Sequence, residues 1–293
     1  MSKHIEERRN SLNLELIKSN LKTSNVGKQI IYYQEIGSTN DVARKLVKED
    51  IEENKKNGAV IITDYQTKGR GKSYRKWEAE PFTNILMTVV MKKGEHQLSA
   101  QNITLLTGLV VCEVLNNLFD IKAKIKWSND VIINYKKVSG ILSESATDKN
   151  GDTYFLIGIG INVFQDMEKF SEELKTSATS LADVMRDLSR RLCDINVAPH
   201  KCRTIQREII IAEILNRLEY YYDNIEKKWN KIRKRLKDFS STIGKRVKVS
   251  TGKKIIEGLG LDFEDDGGLM VREDSGMIKT IYSGDVEEIP WRE

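Results

Sequence analysis

Gln66-Thr-Lys-Gly-Arg-Gly-Lys-Ser-Tyr-Arg-Lys-Trp77 is the stretch that decides how this chain is read. It follows an apolar run, Ala59 to Asp64, with the β-branched content of a buried strand, and it contains no aliphatic residue. Lys68, Arg70, Lys72, Arg75 and Lys76 crowd around two glycines. Glycine lets backbone N–H groups approach an anion without a Cβ in the way, and the cations neutralise phosphate or carboxylate charge. Gly71-Lys72-Ser73 invites a P-loop reading. That pattern needs glycine where Gln66 stands and a helix directly after Lys72-Ser73, whereas Trp77, Glu78 and Pro81 follow without an apolar helical stripe. No Gly-x-Gly-x-x-Gly occurs either, which removes the dinucleotide fold. An anion-binding loop remains, on neither of those two α/β frames.

Outward from the loop, strand and helix signals alternate irregularly. Gln29 to Tyr33 and Asn84 to Met91 read as strands. Between Tyr33 and the loop, Ser38 or Thr39 is placed to cap a helix whose Val42, Ala43, Leu46 and Val47 share one face. A helix over about Ser99 to Asn117 buries Ile103, Leu106, Leu109, Val110 and Val114. Ile121 to Trp127, Asp130 to Asn134, Val138 to Glu144 and Tyr154 to Phe164 follow as consecutive strands. The stretch Ala178 to Ile211 is expected to be an irregular insertion, and Ile205 to Phe239 a strongly helical run with a basic end. After Ser240, short β-rich segments alternate with turns such as Asp265-Asp266-Gly267-Gly268, the pattern of a small barrel. The expected organisation is an extension over 1–27, a main domain over 28–239 and a small domain over 240–293.

The bulk numbers exclude several classes. The 48 basic and 43 acidic residues leave a net charge of +5 over 293 residues, too mild and too scattered to argue for nucleic acid. The three cysteines form no Cys-x-x-Cys pair, and His4, His96 and His200 are dispersed, so neither a disulfide framework nor a zinc site is expected. No apolar run reaches the ~18 residues of a membrane span, and the first residues lack a signal core. A soluble cytoplasmic chain without a membrane partner is the expectation.

Five motifs then occur in a fixed order: Gly37-Ser-Thr-Asn40, Gln66 to Trp77, Lys126-Trp-Ser-Asn-Asp130, Lys137-Val-Ser-Gly-Ile-Leu142 and Gly158-Ile-Gly-Ile-Asn162. Together they resemble the motif set of the biotin protein ligases over about Gln29 to Phe164, and the segment after 240 is similar to that family's SH3-like domain. The resemblance implies an α+β fold of the class II synthetase-like, biotin–lipoate ligase type. That fold has a central mixed β-sheet catalytic domain flanked by helices, plus a small C-terminal SH3-like β-barrel. It also implies a reaction in which biotin and ATP give biotinyl-5'-AMP and pyrophosphate. Biotin then passes to one lysine of a biotin carboxyl carrier protein of a biotin-dependent carboxylase. Both reactants of the first step are anions, so positioning and charge stabilisation should supply most of the catalysis.

By the same resemblance, Lys137 and Arg70 are the catalytic cations, Lys137 touching both the biotin carboxylate and the α-phosphate. Ser38, Thr39, Asn40 and Gln66 supply neutral donors and acceptors for the ureido ring, with Gly69, Gly71 and Gly158 allowing close approach. Arg70, Gly71, Lys72, Arg75, Trp77, Asn129, Lys137 and Asn162 are expected around ATP and the adenylate, Trp77 by stacking on a purine. Asp130 is the expected carboxylate for Mg²⁺ brought with ATP. Trp127 is read as core, and the acidic turn Asp262 to Asp266 as solvated surface.

The chain departs from the family where Arg-Gly-Arg is usual and Arg70-Gly71-Lys72 stands instead. Lysine keeps the charge and loses the bidentate fork, so weaker retention of the adenylate is expected. Only about 27 residues precede the first strand, against the roughly 60 of a winged helix-turn-helix module, so a single-function enzyme without specific DNA binding is expected, as monomer or homodimer. A lipoate–protein ligase of the same fold and a bifunctional ligase/repressor are the alternatives.

Overall fold

The computed structural model describes residues 11–95, 97–194, 204–252 and 254–290. His4, His96 and His200, named above, lie outside them. Its strands are β1 Ile30–Ile36, β2 Val60–Gln66, β3 Ile85–Lys92, β4 Lys124–Lys126, β5 Asp130–Ile133, β6 Lys136–Thr147, β7 Thr153–Ile161, β8 Arg246–Ser250, β9 Ile255–Phe263, β10 Leu269–Arg272, β11 Ile278–Ile281 and β12 Asp285–Glu288. The helices are α1 Leu14–Ser19, α2 Thr39–Lys48, α3 Glu53–Lys56, α4 Ala100–Phe119, α5 Glu172–Ser177, α6 Leu181–Asp194, α7 Arg207–Asp223 and α8 Ile225–Phe239.

β1 to β7 form one mixed sheet in the order β1-β2-β3-β7-β6-β5-β4, in which only β1 and β2 run parallel. β8 to β12 form a separate antiparallel sheet in the order β11-β10-β9-β8-β12. The α+β class expected from the sequence is the observed one.

Alternation along the central strands sorts side chains onto two faces. Ile85, Met87, Val89 and Met91 of β3, with Phe155, Ile157, Ile159 and Ile161 of β7, join the large core. α4 and α7 cover that face, contributing Ile103, Leu106, Leu109 and Val110, and Ile211, Ile214 and Leu218. On the opposite face a smaller cluster gathers Ala43, Leu46 and Val47 of α2 against Ile61, Val90, Ala146, Tyr154 and Leu156. α4 is long and apolar enough to cross a membrane, but 83% of its most apolar window is buried inside the fold, where it serves as a core helix.

Several sequence expectations change. The stretch expected to be irregular contains the regular helix α6, whose Leu181 and Val184 are buried. The helical run to Phe239 is two helices broken at Asn224. Ser38 occupies the N-cap of α2 without a side-chain capping bond. The acidic turn is not free surface. Arg233 pairs with Asp262 and Asp265, and Asn102 and Ser99 donate to the carbonyls of Asp265 and Asp266, docking the small sheet onto α8 and α4. Leu12, Ile17 and Val26, ahead of β1, are buried in the main core.

The β5–β6 hairpin turns through Asn134 and Tyr135, both in the left-handed region with φ of 50° and 66°. That is a type I′ geometry, for which Asn-Gly is favoured. Holding tyrosine there costs roughly 1–2 kcal/mol, partly offset by glycine's greater freedom in the unfolded chain. Tyr135→Gly is therefore expected to raise the unfolding free energy by about 0.5–1 kcal/mol in urea titrations. An unchanged or lower midpoint would show that the turn carries no strain.

Candidate active site

The same alternation that builds the small core opens a pocket farther along the strands. Register places Val90 beside Leu156 and Leu156 beside Glu144. The next row is Thr88–Gly158–Leu142, and the one after it is Leu86–Gly160–Gly140. Moving along that face, large side chains under α2 give way to three glycines. The trench so formed encloses about 460 Å³ of space, part of it open to solvent.

One end of the pocket is neutral and polar. Ser38, Thr39 and Asn40 arrive from the start of α2 and Gln66 from the end of β2. Thr39 donates its backbone N–H to Gln66 Oε1 at 2.8 Å. Thr88, fully buried on β3, lies 2.8 Å from Thr39 Oγ1 and 2.6 Å from Asn40 Oδ1. Asn40 Nδ2 donates to Glu144 Oε2 at 2.6 Å. A Cβ on Gly158 would come within 2.7 Å of Asn40 Oδ1, so this glycine admits the protein's own amide.

The other end is cationic. Register between β5 and β6 shifts at Val131/Ile132: Ile132 pairs with Lys137 but Val131 with Ser139, which leaves Val138 as a bulge. A bulge re-aims the side chains beside it. Val138 enters the main core, while Lys137 reaches the glycine face, where its Nζ would lie 3.1 Å from a Cβ on Gly140. Lys137 Nζ pairs with Asp130 Oδ1 at 2.6 Å and stands 5.5 Å from the centre of the Trp77 ring.

The loop after β2 folds over this trench as a tight hairpin. Gly71 N–H donates to Arg75 O at 2.7 Å and Trp77 N–H to Gly69 O at 3.0 Å. The Trp77 ring lies against Gly160 and Gly140, where a Cβ would meet it at 2.7 Å and 2.9 Å, and its Nε1 is buried without a hydrogen-bond partner. Arg70 clamps Asp41 of α2 through two bonds of 2.8 Å and 2.6 Å. Those bonds hold the Asp41 carboxyl below its ordinary range. On the far flank, Lys72 Nζ donates to Ser128 Oγ at 2.6 Å and to Gly284 O at 3.3 Å, and Arg75 pairs with Asp285. Burial pushes the Lys72 ammonium below its ordinary pKa.

Ser38, Thr39, Asn40, Gln66, Arg70, Gly71, Trp77, Asn129, Lys137 and Gly158 thus line one pocket. Gly69, Lys72, Arg75, Asp130 and Asn162 are not among its lining residues. Gly69 packs near Trp77 and Gln66, and Asp130 pairs with Lys137. Lys72 and Arg75 are turned to the small sheet, and Asn162 is buried, donating to Thr179 O at 3.1 Å. Its interior bond explains why Asn162 does not reach the pocket as expected. Trp127 is core, its indole N–H donating to Gly267 O at 3.1 Å. Thr88, Glu144, Asp41 and Asp285 were missed. Their sequence signal is slight: Thr88 breaks the apolar run Ile85-Leu-Met-Thr-Val-Val-Met91, and Glu144 continues the alternation of Gly140 and Leu142.

A pocket with a neutral polar end, a glycine floor and a lysine at its far end suits a small ligand carrying an anionic tail. Comparison with known proteins agrees. Residues 32–162 match the biotin/lipoate A/B protein ligase family, and residues 242–287 match the biotin protein ligase C terminal domain. The chain is 30% identical over 272 residues to the bifunctional ligase/repressor BirA of Bacillus subtilis, covering 92% of this chain and 77% of that one. It is 29% identical over 266 residues to the biotin–[acetyl-CoA-carboxylase] ligase of Mycobacterium tuberculosis, covering 88% of each. The fold superposes on the biotin protein ligase from Aquifex aeolicus in complex with biotin and ATP with a TM-score of 0.70. Identity there is 27%, over 89% of this chain and 98% of that one. The chain belongs to the biotin/lipoate A/B protein ligase family.

Proposed function

We propose that this protein joins biotin to ATP, forming biotinyl-5'-AMP and releasing pyrophosphate, and then transfers the biotinyl group to a lysine of a biotin carboxyl carrier protein. The observation that carries this reading is the glycine-floored trench running from a neutral polar end to Lys137. A ring urea needs uncharged partners, which Ser38, Thr39, Asn40 and Gln66 offer. A lipoyl group would leave those polar atoms without partners, which favours biotin.

In the first step a biotin carboxylate oxygen attacks the α-phosphorus and pyrophosphate leaves. Lys137 is proposed to hold the carboxylate against the α-phosphate and to offset the charge that builds up there. Arg70, once exchanged from Asp41, serves the same anions, with Trp77 and Gly71 closing over them. In the second step the carrier lysine attacks the acyl carbon and AMP leaves. Among the described residues no cluster of three or more His, Cys, Asp or Glu is placed to hold a resident metal. Mg²⁺ would enter as the counterion of ATP, and Asp130, which pairs with Lys137, is the carboxylate proposed to meet it. The cytoplasm, with its ATP supply, is the proposed location. Biotin-dependent release of pyrophosphate from ATP tests the whole reading, which fails if none forms.

The loop's anchorage gives a second test. Asp285→Asn removes the partner of Arg75 and leaves the pocket intact. Surface pairs of this kind contribute about 0.2–1 kcal/mol, so release of free biotinyl-5'-AMP is expected to accelerate about two- to fivefold. Unchanged release, followed by chromatography of labelled adenylate, would show that the small sheet plays no part in retention.

A further inference from the structure

Proton bookkeeping at the polar end of the pocket fixes which atoms face a ligand. A backbone N–H needs an acceptor, so the Thr39 N–H orients Gln66 with its oxygen inward to the protein and its Nε2 free. A carboxylate only accepts, so Glu144 orients Asn40 with its nitrogen toward β6. Both Asn40 amide protons are then spent there, one on Glu144 Oε2 at 2.6 Å and one on Leu142 O at 3.4 Å. Glu144 is itself held by Arg44 at 3.2 Å.

With its nitrogen committed, Asn40 presents Oδ1 to Thr88 and to the trench. Thr88 has a single hydroxyl proton, and its 2.6 Å contact to an atom that can only accept takes it. The 2.8 Å contact between Thr88 and Thr39 must then be donated by Thr39, unless that proton goes to Gln66 Oε1 at 3.1 Å. In either case the Thr39 proton stays inside the network, and its oxygen faces outward as an acceptor.

We infer that Thr88 and Glu144 are positioning residues that set the hydrogen-bond polarity of this pocket: acceptors on Asn40 and Thr39, a donor on Gln66. That pattern is the complement of a cyclic urea, which offers two N–H donors and one carbonyl acceptor. The inference rests on the biotin reading and explains how selectivity arises from residues that the ligand does not touch. Neither Thr88 nor Glu144 is among the ordered motifs, and Thr88 is fully buried.

Calorimetric titration of the full chain with biotin, and with dethiobiotin (same urea, no thioether), tests it. Thr88→Val keeps the shape and removes the hydroxyl, and should weaken both ligands together by about tenfold or more. Thr88→Ser should restore affinity to within about threefold of wild type. Glu144→Gln, whose amide no longer dictates how Asn40 turns, should weaken both ligands in the same way. In all three variants kcat at saturating biotin and the ATP affinity should stay within about threefold of wild type, so that the loss appears in KM for biotin. Thr88→Val binding biotin as tightly as wild type would overturn the inference, as would a loss that Thr88→Ser does not rescue. Failure of wild type itself to bind biotin would instead overturn the functional reading beneath it.

Discussion

Lys137→Ala is expected to lower biotin-dependent pyrophosphate release about 1,000-fold, a loss of about 4 kcal/mol of transition-state stabilisation. The size follows from how the residue is held. A bulge at Val138 turns Lys137 onto the trench, Asp130 pins its Nζ at 2.6 Å, and the Trp77 ring closes one side. A cation fixed in advance needs no reorganisation when charge develops at phosphorus. Its side chain is only about one third exposed, so water screens it incompletely. Lys137→Arg keeps the charge in a planar fork and should lose less, roughly 30-fold, because its donors cannot occupy the same point. Melting temperatures close to wild type are expected for both, since Lys137 belongs to neither hydrophobic cluster. A fall of less than about tenfold in Lys137→Ala would move the chemical centre elsewhere in the pocket.

Gly158→Ala is expected to weaken biotin binding about 100-fold or more, while Gly37→Ala leaves it within about threefold. Both glycines stand in the ordered motifs, so sequence alone gives them equal weight. The space around them differs. A Cβ on Gly158 would meet Asn40 Oδ1 at 2.7 Å and the Leu142 carbonyl at 3.1 Å, and the carbonyl is backbone that cannot swing aside. Asn40 must move, and with it the acceptor that Thr88 and Glu144 hold in place. A Cβ on Gly37 would meet nothing within 4 Å. Titration of both variants with biotin settles the matter; similar affinities for the two would refute the crowding argument.

The ordered motifs made the pocket legible, because the residues that meet a small ligand come in short runs at strand ends and turns. Ser38, Thr39, Asn40, Gln66, Arg70, Lys137 and Gly158 converge for that reason. What escaped was whatever depends on register between distant strands. Thr88 meets Thr39 and Asn40 only because β3 pairs with β7 in one register, and Glu144 meets Asn40 only because β6 pairs with β7 on the other side. The sequence shows the charge of Lys72 and Arg75 and conceals their protein partners, which are Ser128 and Gly284 for the one and Asp285 for the other. Their partners, Gly284 and Asp285, sit in a segment that reads only as the edge of a small barrel. α6 was overlooked although Leu181, Val184, Met185 and Leu188 recur at helical spacing, and Leu181 and Val184 are buried. The core helix α4 and strand β7 needed no such help, being long apolar runs buried over most of their lengths.

The far flank of the loop hangs on partners 212 and 210 positions downstream. Synthesis proceeds from the N-terminus, and domains fold as they emerge. The sheet, the glycine trench and Lys137 can therefore take shape on the ribosome while the residues that clasp the loop have yet to be made. During that interval only the bond from Lys72 to Ser128 would hold that flank of the loop. Completion of β12 adds the Gly284 and Asp285 contacts, so the second hold on the loop arrives late in synthesis.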